Sequence, residues 1–200
     1  MSNESFPFQT LKQPREGGRV EVVVGSMFSG KTEELIRRVK RGLLAKRKIQ
    51  AFKPRIDDRY HRTRIVSHGD ISIEAVAVAN SESLSSRVND DTQLLAIDEA
   101  QFFDMGIVDA ANHFADRGMR VICAGLDQDW RGRPFPPVPQ LMAIAEEVTK
   151  VRAVCTLCGR DAYRSQRLAP EVDASTVLVG GIERYEPRCR ACFVPPKPAE

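Results

Sequence analysis

No run of eighteen apolar residues occurs in the 200-residue sequence, so a membrane-spanning helix of ordinary length is excluded. Histidines number three, and His61, His68 and His113 show no ligand spacing; they read as surface or loop residues. A net charge of only +3 is too mild to name nucleic acid as a partner by itself. No internal repeat is visible, which argues against a solenoid or a propeller. The opening MSNESFPFQTLKQPREGG lacks the basic-then-apolar layout of a signal peptide, and the expected location is the cytoplasm. Cysteines number five. In a reducing compartment they are not expected to pair as disulfides, so their spacing is read as metal or core chemistry.

What is present is an alternation of short apolar runs with helical periodicity. Residues 1–18 read as a loose tail. RVEVVVG reads as a buried strand that runs into a glycine-rich loop. Behind it Leu35, Ile36, Val39, Leu43 and Leu44 recur at helical spacing, with Gly42 weakening the helix end. KIQAFKP predicts a second strand, RIDDRYHRTRIVSHGD a long charged loop, ISIEAVAV an extended segment, and SESLSSRV a short capped helix. TQLLAIDEAQFF predicts a strand with acids at its end; a helix follows at about residues 105–117, then the buried strand RVICAGLDQD. WRGRPFPPVPQ breaks regular structure, and QLMAIAEEV reads as helix. Strands alternating with helices predict an α/β fold with a mostly parallel sheet and ligands at the carboxyl ends of the strands.

Three constellations carry chemistry. Gly25-x-x-x-x-Gly30-Lys31-Thr32 spells a phosphate-binding loop. Glycines let the backbone approach the anion, Lys31 adds a charge at the β- and γ-phosphates, and the Thr32 hydroxyl suits Mg²⁺. Asp98 and Glu99 close an apolar strand, where Asp98 fits a Mg²⁺ ligand and Glu99 a base for a hydroxyl or a water. Asp98-Glu99-Ala100-Gln101 also echoes the motor of helicases, which normally need two such domains. Cys155-x-x-Cys158 and Cys189-x-x-Cys192 are two knuckles whose four thiolates suit a closed, structural Zn²⁺ site. Cys123, alone in a strand, reads as a small core residue.

Other features are less committal. The basic run Arg37, Arg38, Lys40, Arg41, Lys46, Arg47 and Lys48 reads as a solvated helix face in preference to a nucleic-acid grip. Trp130 and Phe135, in a proline-stiffened loop after a strand, can stack on a base or cover core. At this level a kinase acting on a hydroxyl, a nucleic-acid-stimulated ATPase with a zinc ribbon, and a non-catalytic nucleotide-binding module all stay open.

Taken in order, GSMFSGKTEELIRR, KPRIDDRY, AIDEAQFF, AGLDQDWRGRPF, CTLCG and VGGIERYEPRCRACF resemble the type II thymidine kinases over residues 19–193. The resemblance implies a P-loop (RecA-like) α/β domain at 19–150, a zinc-binding lasso domain at 151–194, and tails at 1–18 and 195–200. It implies transfer of the γ-phosphate of ATP to the 5′-hydroxyl of thymidine, with Mg²⁺ and a structural Zn²⁺ as cofactors. The triphosphate would lie on Gly25, Ser26, Met27, Phe28, Ser29, Gly30, Lys31 and Thr32, together with Asp98, Glu99, Ala100 and Gln101. Thr32 and Asp98 would hold Mg²⁺, and Cys155, Cys158, Cys189 and Cys192 would hold zinc. Glu99 matches the general base, Arg59 an arginine near the transferring phosphate, and Asp57 its acidic companion. Met27, Phe102, Leu126, Trp130 and Phe135 match the nucleoside pocket, with Trp130 replacing the usual Phe. Ser165 falls where a small hydroxyl residue faces the thymine methyl. A lasso at residues 167–185 would read the base through Thr176, Val177, Leu178, Val179, Gly180 and Gly181, with Tyr185 closing the site. A homotetramer and feedback inhibition by thymidine triphosphate are implied too, with no nucleic-acid or membrane partner.

Overall fold

The computed structural model describes residues 17–56, 64–66, 72–168 and 184–195. The chain opens with strand β1 (Arg19–Val24) and helix α1 (Lys31–Leu44), then β2 (Ile49–Pro54), β3 (Arg64–Val66), β4 (Ser72–Glu74) and β5 (Val76–Val78). Helix α2 (Ser81–Ser85), β6 (Leu94–Ile97), α3 (Gly106–Asp116), β7 (Arg120–Gly125), α4 (Val138–Ile144) and β8 (Glu147–Lys150) follow. Four short strands complete it: β9 (Ala153–Val154), β10 (Asp161–Ala162), β11 (Arg164–Arg167) and β12 (Tyr185–Arg188). No helix among the described residues is long and apolar enough to cross a membrane.

Six strands form one parallel sheet in the order β5-β2-β6-β7-β1-β8. Alternation along the strands sends side chains into two cores. Val20, Val22 and Val24 join Leu95, Ile97, Val121 and Cys123 against α2, α3 and α4. Val23, Ala96, Ile122 and Ala124 pack against Leu35, Ile36 and Val39 of α1. Cys123 is fully buried, as expected of a core residue, and that burial pushes its thiol up to about 12.

The α/β class and the parallel sheet agree with expectation; several local expectations do not. The segment read as one long loop contains β3, whose Ile65 is 2% exposed and packs in the α1-side core, and β3 pairs antiparallel with β4. Three residues are too short for periodicity to register. The extended segment ISIEAVAV is two strands in two sheets, divided at Ala75. QLMAIAEEV does not stay helical: the chain turns extended at Ala145, and β8 adds the edge strand beside β1. Val148 and Thr149 favour that pleated edge, and the Glu146 carboxylate accepts a hydrogen bond from Val20 N–H at 2.7 Å.

Helix α1 is also corrected. Leu43 and Leu44 are exposed, while Gly42 is buried; a Cβ there would lie 2.8 Å from Leu94 Cδ1. Gly42 thus allows close packing of the helix on the sheet. Arg38 leaves the expected solvated face altogether, being buried against Glu21, Glu34 and Glu147.

Candidate active site

Parallel pairing brings the strand ends level. Val24 pairs with Gly125 and with Lys150, while Ile97 pairs with Cys123 and with Phe52. The residues that follow, Gly25, Asp98 and Leu126, therefore gather at one carboxyl edge.

The loop between β1 and α1 needs its glycines for two different reasons. A Cβ on Gly25 would sit 2.4 Å from the Val151 carbonyl oxygen, so no side chain fits. Gly30 has open space but a φ of 84°, a left-handed conformation that only glycine adopts freely. Phe28 also has positive φ, at 62°. The loop is braced from within: Ser26 C=O accepts from Lys31 Nζ at 2.8 Å and from Ser29 Oγ at 2.7 Å. Glu33 and Glu34 open the helix behind it.

Thr32 Oγ1 lies 3.3 Å from Asp98 Oδ2, joining the first turn of α1 to the end of β6. Two oxygen donors side by side at the mouth of a phosphate loop fit the hard-cation chemistry of Mg²⁺. Asp98 is 6% exposed, and its Oδ1 accepts from Glu99 N–H at 3.0 Å. Glu99 holds a left-handed φ of 50°, a strained turn that projects its side chain at the sheet edge. Gln101, 3% exposed, donates through Nε2 to Glu99 Oε2 and accepts at Oε1 from Leu126 N–H at 2.9 Å. It brackets the acid turn against the end of β7. Gln101 and Ala100 are both buried here.

Met27, Phe102, Leu126, Trp130 and Phe135 are each half-buried at this edge. Phe102 and Phe135 meet edge-to-face with ring centroids 6.3 Å apart. Trp130 has Arg131 at 4.7 Å and Arg167 at 5.1 Å from its ring centre, both cation–π distances. Ser165, 4% exposed, accepts from Met27 N–H at 3.0 Å. Tyr185 is buried and pairs with Arg167 across the β11–β12 ladder. Asp57, Arg59 and residues 176–181 lie outside the described residues, as do His61 and His68; His113 is exposed.

Beyond Lys150 the chain builds a small cysteine-rich unit. The Sγ atoms of Cys155, Cys158, Cys189 and Cys192 all lie within 4.8 Å of one another, with Cys158 and Cys189 at 3.6 Å. Tetrahedral zinc at about 2.3 Å from each thiolate would hold sulfurs about 3.8 Å apart, so the cluster fits. Burial pushes the Cys155 thiol up, but backbone N–H groups of Cys189, Leu157 and Cys158 outweigh it and hold it at about 6. Among the described residues, the cluster around these sulfurs adds only Ala153 and Ala162, with Tyr185 and Phe193 the unit's buried aromatic side chains. β11 and β12 pair antiparallel and Leu168 N–H reaches Arg184 C=O at 2.8 Å, so the two residues that flank 169–183 are held together.

Two features escaped sequence reasoning. Lys53 is a cation 2% exposed at the end of β2, next to the Phe52 carbonyl that accepts from Asp98 N–H at 3.0 Å. Asp127, 6% exposed, pairs with Lys150 Nζ at 2.5 Å across the start of the phosphate loop. Acids and lysines at strand ends were the available signal, but only the register of the sheet says which ones meet.

Comparison with known proteins converges on the same chemistry. The thymidine kinase family model matches residues 18–193. A thymidine kinase of Rhodothermus sp. (strain ITI 518) is 50% identical over 187 residues, covering 92% of this chain and 86% of that protein. The chain belongs to the thymidine kinase family.

Proposed function

We propose that the chain is an ATP-dependent thymidine kinase that phosphorylates the 5′-hydroxyl of thymidine, with deoxyuridine as a possible second acceptor. The observation that carries this reading is the junction of Thr32, Asp98 and Glu99 at the sheet edge, beside the half-buried aromatic wall. Residues 25–32 would cradle the triphosphate, and Lys31 would turn from its own loop to the transferring phosphoryl group. Thr32 and Asp98 would hold Mg²⁺, which neutralises phosphate charge when bound. Phe102, Phe135, Leu126, Met27 and Trp130 would wall the nucleoside.

Glu99 then has the proton to take. As the 5′-oxygen attacks the γ-phosphorus, the bond to the β–γ bridging oxygen breaks and ADP leaves; the hydroxyl proton passes to the Glu99 carboxylate. Gln101 and the left-handed turn would hold that carboxylate still while Phe102, three residues on, faces the base. Arg59 would stabilise the phosphoryl group, with Asp57 beside it, and residues 176–181 would read the base edge with Tyr185. Zinc on the four cysteines would anchor both ends of that segment. The division at Lys150, a homotetramer, feedback inhibition by thymidine triphosphate and a cytoplasmic location belong to the same reading.

Glu99→Gln tests it. The amide keeps the shape and can still bond Gln101, but it cannot accept the proton. kcat should fall on the order of 10²–10⁴-fold with nucleotide affinity little changed. Turnover close to the parent's would remove Glu99 from the reaction.

A further inference from the structure

The peptide unit between Ser26 and Met27 is held from both sides. Its carbonyl, on Ser26, accepts from Lys31 Nζ at 2.8 Å and from Ser29 Oγ at 2.7 Å. Its N–H, on Met27, donates to Ser165 Oγ at 3.0 Å. Two of these three partners belong to the loop itself. The third comes from β11, 138 residues away in sequence, and is 4% exposed.

Other N–H groups of such a loop are available to an anion. The Met27 N–H is instead committed to a hydroxyl of the cysteine-rich unit. Rotation of the 26–27 peptide plane would carry away the carbonyl that anchors Lys31, so the hydroxyl that pins the N–H also fixes where Lys31 starts. β11 is itself braced: Ser165 is opposite Pro187 of β12, Pro187 C=O accepts from Thr156 N–H at 3.2 Å, and β12 runs directly into Cys189. β11 thus carries the hydroxyl on a ladder whose other strand leads into the cysteine cluster.

We infer that Ser165 is a positioning residue for phosphoryl transfer: its hydroxyl sets the 26–27 peptide plane, and through it Lys31, so that the cysteine-rich unit orients the phosphate loop as well as the nucleoside. The inference rests on residues 25–32 holding the triphosphate. It gives Ser165 a task separate from contact with a thymine methyl, since the hydroxyl faces Met27 N–H and only the rest of the side chain is left for the base.

Removing the acceptor leaves a part-buried N–H without its partner, which loosens the loop before any nucleoside binds. Amide exchange by NMR in the ligand-free parent should show Met27 protected relative to an unstructured amide of the same sequence. In Ser165→Ala the Met27 amide should exchange at least about tenfold faster, and MgATP affinity without nucleoside should weaken about three- to tenfold. kcat should fall with it, and Ser165→Thr, which restores the hydroxyl, should return all three to near parental values. A residue that only stabilised the fold would lower the unfolding midpoint and leave MgATP affinity and kcat where they were. The inference is overturned if Met27 exchanges at the rate of an unstructured amide in the parent, a measurement that needs no variant to fold. It is equally overturned if Ser165→Ala alters only the KM for thymidine. Parental turnover in Lys31→Ala would instead overturn the assignment of the loop itself.

Discussion

Lys31 lies along its own loop, 9% exposed, with its ammonium on the Ser26 carbonyl. A flexible cation held near the loop mouth can move to a γ-phosphate with little reorganisation, which is where a phosphoryl-transfer site concentrates its stabilisation. Lys31→Ala should lower kcat on the order of 10²–10³-fold with every phosphate donor, as steady-state assays with several donors would show. Gly25, Gly30, Lys31, Thr32, Asp98 and Glu99 were legible in the sequence as candidates because each proposed task restricts the residue type: no side chain, a point charge, a hydroxyl, an acid. Gln101, Lys53 and the bond from Ser165 to Met27 were not legible in those roles. Gln101 meets Leu126 and Ser165 meets Met27 across long stretches of sequence, and Lys53 is buried by its place in the sheet; register, which no local pattern carries, decides these.

At the scale of elements, α1 is attached to the sheet by charge as well as by Leu35, Ile36 and Val39. Glu21 is fully buried on β1 and pairs with Arg38 of α1 at 2.6 Å, Arg120 of β7 at 2.7 Å and Arg19 at 2.7 Å. Burial alone would push its carboxyl up; the guanidinium groups of Arg120, Arg19 and Arg38 outweigh that and hold it at about 2, against an ordinary value of 4.5. A lowered folded value stabilises above the unfolded one. The contribution is therefore complete above pH 4.5 and is lost as pH falls from there toward 2. Glu21→Gln leaves buried Arg38 with Glu34, Glu147 and the Thr149 hydroxyl, and should cost about 3 kcal/mol in urea unfolding at pH 7. Parent and variant should converge in stability as the pH approaches 2; a constant gap at all pH values would contradict the ion-pair account. The sequence showed α1 itself through its periodicity, but Glu21 inside RVEVVV gave no sign of being a hub. β3 and β8 stayed hidden for a related reason: each has three or four residues, and its strand character comes from a neighbour's unpaired backbone.

For the whole molecule, the sheet and the cysteine-rich unit would divide the work under the proposed function. The sheet has two apolar cores of its own, whereas the described residues of the cysteine-rich unit bury little beyond two alanines, Tyr185 and Phe193 beside the thiols. Such a unit cannot offset the entropy of its ordering by burial, so metal binding would supply its folding free energy. Cys189→Ser combined with Cys192→Ser should abolish measurable thymidine binding while much of the MgATP binding at residues 25–32 persists. The residual loss of MgATP affinity should match that of Ser165→Ala, because both act through β11. Metal analysis should give one zinc per chain in the parent and markedly less in the double variant; normal thymidine binding without zinc would contradict this division. The central claim, that the phosphate loop serves a nucleoside hydroxyl, has a direct measurement. Incubate the parent with ATP labelled in its γ-phosphate, thymidine and Mg²⁺, with and without nucleic acid, and follow the label. The account predicts label on the 5′-oxygen of thymidine, with no stimulation by DNA or RNA. Label released only as free phosphate in the presence of nucleic acid, or left on ATP in every mixture, would contradict it.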